Sequence, residues 1–261
     1  MDRETPGTQV APRHDDPVTP DARRSSSPSD TRSTMAPNGV MYEEPTDSSP
    51  TSTANDTVIF LDWDDTLLAS TWVGKLGLRP KYVNEKPVIP EDVKLQLEEL
   101  EECVIALLEN AIKYGRVVII TAAETGWVEL SASLFMPRTL PIIQSMIKVV
   151  SARSTYEELY PGAPKKWKIE AFQHEVYNNC QSTTPKHIIS IGDGPTEREA
   201  LINLKMSSYA SFHAKSLKLI TYPNAVELKM EVRLLLDNLH TLCTHEEDMD
   251  LQISKEVLQA A

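Results

Sequence analysis

From residue 57 onward, short runs rich in Val, Ile and Leu recur along the chain: Val58-Ile59-Phe60-Leu61, Val117-Val118-Ile119-Ile120, Ile147-Lys148-Val149-Val150, His187-Ile188-Ile189-Ser190-Ile191 and Leu217-Lys218-Leu219-Ile220. Runs of this length fit strands buried on both faces. Segments with apolar residues at helical spacing separate them. The clearest is Glu91 to Tyr114, where Val93, Leu97, Leu100, Val104, Leu107, Leu108 and Ala111 form one stripe. Pro90 precedes it, Glu91 and Asp92 suit the positive end of its dipole, and Gly115 ends it. Further helices are expected near 126–135, 166–178, 196–204 and 225–242. Strands alternating with helices predict a doubly wound α/β domain built on a mainly parallel five-stranded sheet.

Before residue 57 the texture differs. Pro, Ser, Thr, Asp and Arg dominate residues 1–56, which include Ser25-Ser26-Ser27-Pro28 and Asp47-Ser48-Ser49-Pro50. Such a segment buries too little apolar surface to offset its ordering entropy, so it reads as a disordered tail, a solvated leader with Ser-Pro and Thr-Pro pairs. The expected layout is this tail, a catalytic domain over 57–245, and an acidic C-terminal segment over 246–261 whose Glu246-Glu247-Asp248-Met249-Asp250 run is solvated. With 261 residues and 41% hydrophobic content the chain supports one substantial core.

The formal net charge of -12 argues against nucleic-acid and anionic-membrane partners. No apolar run reaches the roughly 20 residues that span a bilayer. The three cysteines, Cys103, Cys180 and Cys243, lack framework spacing. A reduced, intracellular, cytoplasmic protein is expected, with a nuclear location also compatible. His240, Cys243 and His245 lie close in sequence but read as surface or packing residues at a helix end rather than a zinc site.

Four segments carry candidate chemistry. The first strand runs into Asp62-Trp63-Asp64-Asp65-Thr66. Residues two apart on a strand face one side, so Asp62 and Asp64 can share a site while Trp63 turns away. Paired carboxylates beyond a buried strand are costly unless a cation or proton relieves them. The second strand ends at Thr121, whose hydroxyl could donate to a phosphoryl oxygen. Lys165-Lys166-Trp167-Lys168 places positive charge at a helix start, a setting that favours an anion; Lys168 is preferred on helical phase, with Lys165 and Lys166 as alternatives. In Gly192-Asp193-Gly194-Pro195-Thr196-Glu197, glycine allows a tight turn, and Asp193 and Glu197 can converge beside the first pair. Oxygen ligands without His or thiolate suit Mg²⁺. Trp72 and Trp127 read as core or site-wall residues.

In this order and spacing the four segments resemble the haloacid dehalogenase-like hydrolase superfamily over residues 57 to 223. The resemblance implies a Mg²⁺-dependent phosphatase with Asp62 as nucleophile, Asp64 as general acid/base, and Thr121 and Lys168 orienting the phosphoryl group. It also implies substrate contacts from Thr66, Thr121, Lys165 and Lys166, and metal ligation by Asp62, Asp64, Asp193 and Glu197. Two positions depart from the common pattern. Glu197 stands where many members carry aspartate, its longer reach suggesting a water-mediated role, and Trp63 is bulkier than usual. Only about twenty residues separate Leu68 from Pro90, and 122–164 is filled by helix and strand, so no cap domain is expected. An open site would admit a bulky phosphorylated group such as a phosphoprotein. A non-catalytic scaffold of the same fold, or a phosphotransferase or phosphomutase, are the rival readings.

Overall fold

The computed structural model describes residues 56–82, 84–178, 185–209 and 211–260. The expected leader, up to residue 55, and Cys180 lie outside the described residues. The elements run β1 (Thr57–Leu61), α1 (Ser70–Lys75), α2 (Glu91–Tyr114), β2 (Arg116–Thr121), α3 (Trp127–Phe135), α4 (Leu140–Met146), β3 (Lys148–Ser151), α5 (Ala152–Tyr156), α6 (Pro164–Tyr177), β4 (His187–Gly192), α7 (Pro195–Ser207), β5 (His213–Lys218), α8 (Ala225–Thr244), β6 (Met249–Gln252) and α9 (Lys255–Ala260).

All strand pairs are parallel, in the order β3-β2-β1-β4-β5-β6. The fold is therefore the doubly wound α/β class that the alternation predicts, with a Rossmann-like sheet. Successive residues of β1 divide between the two faces. Ile59 and Leu61 join the core shared with α2, α3, α4 and α8, and Val58 and Phe60 join the core shared with α5, α6 and α7. The α2 stripe is buried as its period predicts, and Glu101 is buried with it, its carboxylate taking the Arg138 guanidinium at 2.8 Å. At the end of α2, Gly115 lets the chain press on β1: a Cβ there would lie 2.1 Å from the Thr57 carbonyl oxygen.

The sheet has six strands where five were expected. The sixth, β6, falls in the acidic C-terminal segment, which is thus not wholly solvated. It is an edge strand with mostly exposed side chains, so burial imposes no apolar pattern on it. Pairing with β5 and ion pairs from Asp248 to Lys205 (3.1 Å) and from Asp250 to Arg198 hold it. The expected strand at Leu217 to Ile220 is also displaced, since β5 begins at His213 and ends at Lys218. The polar look of its first half hides a buried Lys215, whose ammonium donates to the Leu242 carbonyl at 2.6 Å and lies 3.1 Å from His187 Nδ1. The lysine stem fills core space that an apolar side chain would otherwise take.

The two intervals that could hold a cap carry α1 in the first and α3, α4, β3 and α5 in the second. Val73, Val128, Phe135, Ile143 and Ala152 from these intervals are buried in the sheet's own two cores. Among the described residues no helix is long and apolar enough to cross a membrane. Cys103 packs half-buried against the core and Cys243 is buried within it; His240 Nδ1 lies 3.1 Å from the Tyr114 hydroxyl, and His245 lies 3.8 Å from Glu247. Trp72 packs partly buried against the same core.

Candidate active site

The strand order places a reversal at the centre of the sheet. From β1 the chain winds outward through β2 and β3, then returns to β4 on the other side of β1 and winds the opposite way. Helices on opposite faces leave a crevice at the carboxyl ends of β1 and β4, where ligands of open α/β sheets bind. Asp62 and Asp64 follow β1, Asp193 follows β4, and Thr121 closes β2.

Strand alternation divides the first motif. Asp62 continues the Val58 and Phe60 side, towards α6, and its Oδ1 lies 2.9 Å from Lys168 Nζ. Trp63 continues the opposite side, fully buried, and its indole N–H donates to Ser131 Oγ of α3 at 2.9 Å. The tight turn that follows has Asp65 in the left-handed region at φ 53°, with its Oδ1 accepting from Thr71 N–H at 2.9 Å. The buried ring therefore fixes the path of a loop flanked by two acids.

Both oxygens of Asp64 are engaged. Trp127 Nε1 donates to Oδ1 at 2.9 Å, and the Thr121 hydroxyl lies 3.3 Å from Oδ2 while accepting from Ala123 N–H at 3.0 Å. Trp127 was expected at most as a site wall. Its contact with Asp64 depends on α3 starting where it does, behind Gly126 at φ +89°.

Of the three candidate lysines, Lys168 reaches the acids. It is 2% exposed and its ammonium bridges Asp62 and Glu197. Lys165 instead pairs with Glu199 of α7 at 2.9 Å, and Lys166 is exposed to solvent. Thr66 ties two motifs together, its Oγ1 accepting from Asp193 N–H at 3.1 Å, while Asp62 N–H donates to the Ile191 carbonyl at 3.0 Å.

Glu197 takes a position that its spacing from Asp193 did not convey. Its Oε1 receives Lys168 and the Thr196 hydroxyl, and its Oε2 is buried with no partner among the described residues. The carboxylate thus holds the lysine rather than standing free beside Asp193. Gly192 makes this possible. Its φ is not left-handed, and what it supplies is room, since a Cβ there would lie 2.4 Å from Glu197 Cγ.

Electrostatically, Asp62 and Glu197 meet the Lys168 ammonium directly, while Asp64 adds negative charge beside Asp62 and Asp193 lies within reach of the Lys168 and Glu197 charges. Burial is the main force pushing the Asp62 carboxyl up, to about 8, with Lys168 opposing and the Glu197 and Asp64 charges adding to it. Burial and the Glu197 and Asp65 charges push Asp193 to about 7. For Lys168 burial works against the charged form, but the Asp62 and Glu197 charges prevail and hold it well above the usual lysine value. Glu197 is buried too, yet Lys168 draws its carboxyl below the ordinary range.

A divalent cation fits this excess of carboxylate. The donors are oxygen only, the chemistry of a hard ion. Among the described residues no three His, Cys, Asp or Glu side chains gather into a complete ligand set. Mg²⁺ commonly takes one or two carboxylates and completes its shell with other oxygens. Asp62 and Asp193 are the side chains left for it once Glu197 is engaged with Lys168.

Behind the Asp193 turn, Thr221 Oγ1 donates to the Asp193 carbonyl at 3.1 Å, and fully buried Glu231 of α8 accepts from Ile220 N–H at 2.6 Å. Burial pushes Glu231 up to about 7 from an ordinary 4.5, with Ile220 and Lys218 opposing and Glu227 and Asp193 adding to the rise. Between those values the native state keeps a proton that the unfolded chain has released, so this group's contribution to stability falls as pH rises. Glu231→Gln keeps an acceptor for Ile220 and has no proton to lose. It is expected to be more stable than the parent at pH 8, by about 2 kcal/mol, with the gap narrowing towards pH 5. Urea midpoints at both pH values check this; a gap independent of pH would dismiss the titration.

Comparison with known proteins adds little. No protein-family model matches the chain, and no curated protein is significantly similar to it. Among solved structures it is similar to the crystal structure of Legionella pneumophila effector Ceg4 with an N-terminal yeast Hog1p sequence. That match has 14% identity and a TM-score of 0.39, covering 74% of this chain and 97% of the other. The functional reading therefore rests on the chain's own residues.

Proposed function

We propose that the chain is a Mg²⁺-dependent phosphohydrolase of phosphomonoesters, acting through an aspartyl-phosphate on Asp62. The observation that carries this reading is the convergence of Asp62, Asp64, Thr121 and Lys168 at the crevice, with Lys168 Nζ 2.9 Å from Asp62 Oδ1 and Asp64 gripped on both oxygens. A carboxylate nucleophile, a second carboxylate two residues on, and a fixed ammonium are the parts that phosphoryl transfer to and from an aspartate requires.

In the first step an Asp62 oxygen forms a bond to phosphorus as the bond to the leaving oxygen breaks, and Asp64 gives that oxygen a proton. The proton belongs on Asp64 Oδ2. The Trp127 indole can only donate and already occupies Oδ1, whereas the Thr121 hydroxyl can turn from donor to acceptor. In the second step Asp64, now a base, takes a proton from water as the water oxygen bonds to phosphorus and Asp62 is released. Lys168, anchored by Glu197, keeps its charge beside Asp62 through both steps. Mg²⁺, held by Asp62, Asp193 and the Asp64 carbonyl, would offset the negative charge between carboxylate and phosphoryl group. The two cap intervals are occupied by elements of the main cores, which supports a bulky leaving group, such as a phosphoprotein side chain, as substrate.

The test is inorganic phosphate release from an aryl phosphate. Turnover is expected with Mg²⁺ and is expected to vanish with EDTA. No Mg²⁺-dependent release from a phosphoester panel that includes phosphopeptides would overturn the reading in favour of a non-catalytic scaffold. Transfer of phosphate to an added sugar or alcohol with little free phosphate would turn it into a phosphotransferase.

A further inference from the structure

Beside Asp64 lies a cavity of about 470 Å³, lined by Arg79, Ala123, Glu124, Trp127, Leu130 and Arg153 among others. It is joined to the crevice by two of its walls. Trp127 donates to Asp64, and Ala123 N–H donates to Thr121 Oγ1. A leaving group whose oxygen is protonated by Asp64 has this cavity as its neighbour.

The two arginines in its wall are not equivalent. Arg153 is compensated, its Nε donating to Glu157 at 2.8 Å and its guanidinium lying 3.7 Å from Glu124. Arg79 is exposed, and among the described residues its contact is with an aromatic face, the guanidinium carbon 4.6 Å from the Trp127 ring centroid. Its five donors lie in the plane of the fork and remain open around the rim. Stacking on Trp127 limits where that fork can point.

The stretch of chain that carries Arg79 is itself basic. Residues 75–86 contain Lys75, Arg79, Lys81 and Lys86 against one acid, Glu85, in a chain whose net charge is -12. This basic stretch follows directly from α1, and Lys75 stands 5.6 Å over the ring of Tyr222, two residues from Ile220 in the turn that backs Asp193. Arg79 over Trp127 and Lys75 over Tyr222 put positive charge beside an otherwise acidic site, which raises the local concentration of anions there. The scissile phosphate is already served by Lys168.

We propose that Arg79, stacked on Trp127, recognises a second negative charge on the leaving-group side of the substrate. The preferred substrates are then phosphomonoesters that carry a further anion close to the scissile phosphate. This rests on the phosphohydrolase reading for what occupies the crevice. The second anion could be an acidic side chain beside a phosphorylated residue in a peptide, or a second phosphate on a small molecule. Both offer oxygens that match a guanidinium fork.

The experiment measures equilibrium binding to the full chain carrying Asp62→Asn, so that the ligands stay intact, in the presence of Mg²⁺. One arm compares two phosphopeptides that differ only in flanking Glu or Gln; the other compares a sugar bisphosphate with the matching monophosphate. The more anionic member of a pair is expected to bind about tenfold more tightly, the scale of one charge-assisted hydrogen bond. Adding Arg79→Gln is expected to bring that ratio near one, and Arg79→Lys to restore part of it. The arm that shows the ratio identifies the source of the anion. Equal affinities within both pairs, or a ratio that survives Arg79→Gln, would overturn the proposal. Turnover of the unmutated chain, measured on the same ligands, is a separate readout. A retained binding ratio without turnover would sink the phosphatase reading and leave anion recognition by Arg79 standing.

Discussion

Lys168→Met is expected to destabilise the protein by about 3 kcal/mol or more, the range for breaking a buried ion pair by removing one partner. The lysine is 2% exposed and is the ammonium on which two buried carboxylates, Asp62 and Glu197, converge. Methionine fills much the same volume, so cavity formation contributes little. What remains is two acids without a counter-charge, one of which already has an oxygen with no partner among the described residues. The double variant Lys168→Met with Glu197→Gln removes one of those charges and is expected to recover a large part of the loss. Phosphate release should stay low in both variants, because the charge beside Asp62 is gone in each. Urea unfolding of the single and double variants, read with turnover, separates folding from chemistry. A single variant within 1 kcal/mol of the parent would show that the bridge carries little of the fold's stability.

Asp62→Asn is expected to reduce turnover by about 10⁴-fold or more, the scale at which loss of a covalent nucleophile is felt. Asparagine matches the shape of aspartate but is a poor nucleophile and a weak metal ligand. The surroundings should tolerate it, since Lys168 keeps Glu197 as its counter-charge, the Asp62 backbone N–H keeps its bond to the Ile191 carbonyl, and an amide oxygen can still accept from Trp63 N–H, which now lies 2.8 Å from Oδ1. Circular dichroism and the thermal midpoint should therefore stay close to the parent values while phosphate release disappears. Substantial turnover in Asp62→Asn would move the nucleophile elsewhere and end the aspartyl-phosphate mechanism. Comparison with Asp64→Asn sharpens the test, because that variant keeps the nucleophile and is expected to accumulate phosphorylated protein that hydrolyses slowly.

Repetition made much of the fold legible. Buried parallel strands need unbroken apolar runs, and β1, β2 and β4 are found where those runs lie, just as the α2 stripe is buried along its predicted face. Two strand segments escaped it because burial there does not demand apolar side chains. The edge strand β6 is held by backbone pairing and surface ion pairs, and the first half of β5 hides a lysine whose ammonium finds a carbonyl. Basic residues at 75–86 were visible in the sequence, but the net negative charge of the whole chain masked them.

The candidate site divides in the same way. By itself the sequence determined that two carboxylates two residues apart would follow β1, that Thr121 would end β2 and that Asp193 would follow β4, because strand ends are local properties of the chain. Only the tertiary structure decided that Lys168 rather than Lys165 or Lys166 meets Asp62, that Glu197 anchors this lysine, and that Trp127 grips Asp64. Those contacts join elements far apart along the chain, Asp64 to Trp127 across 63 residues and Lys168 to Glu197 across 29. Their geometry depends on where each helix starts and how it packs on the sheet, and no short sequence window contains that information.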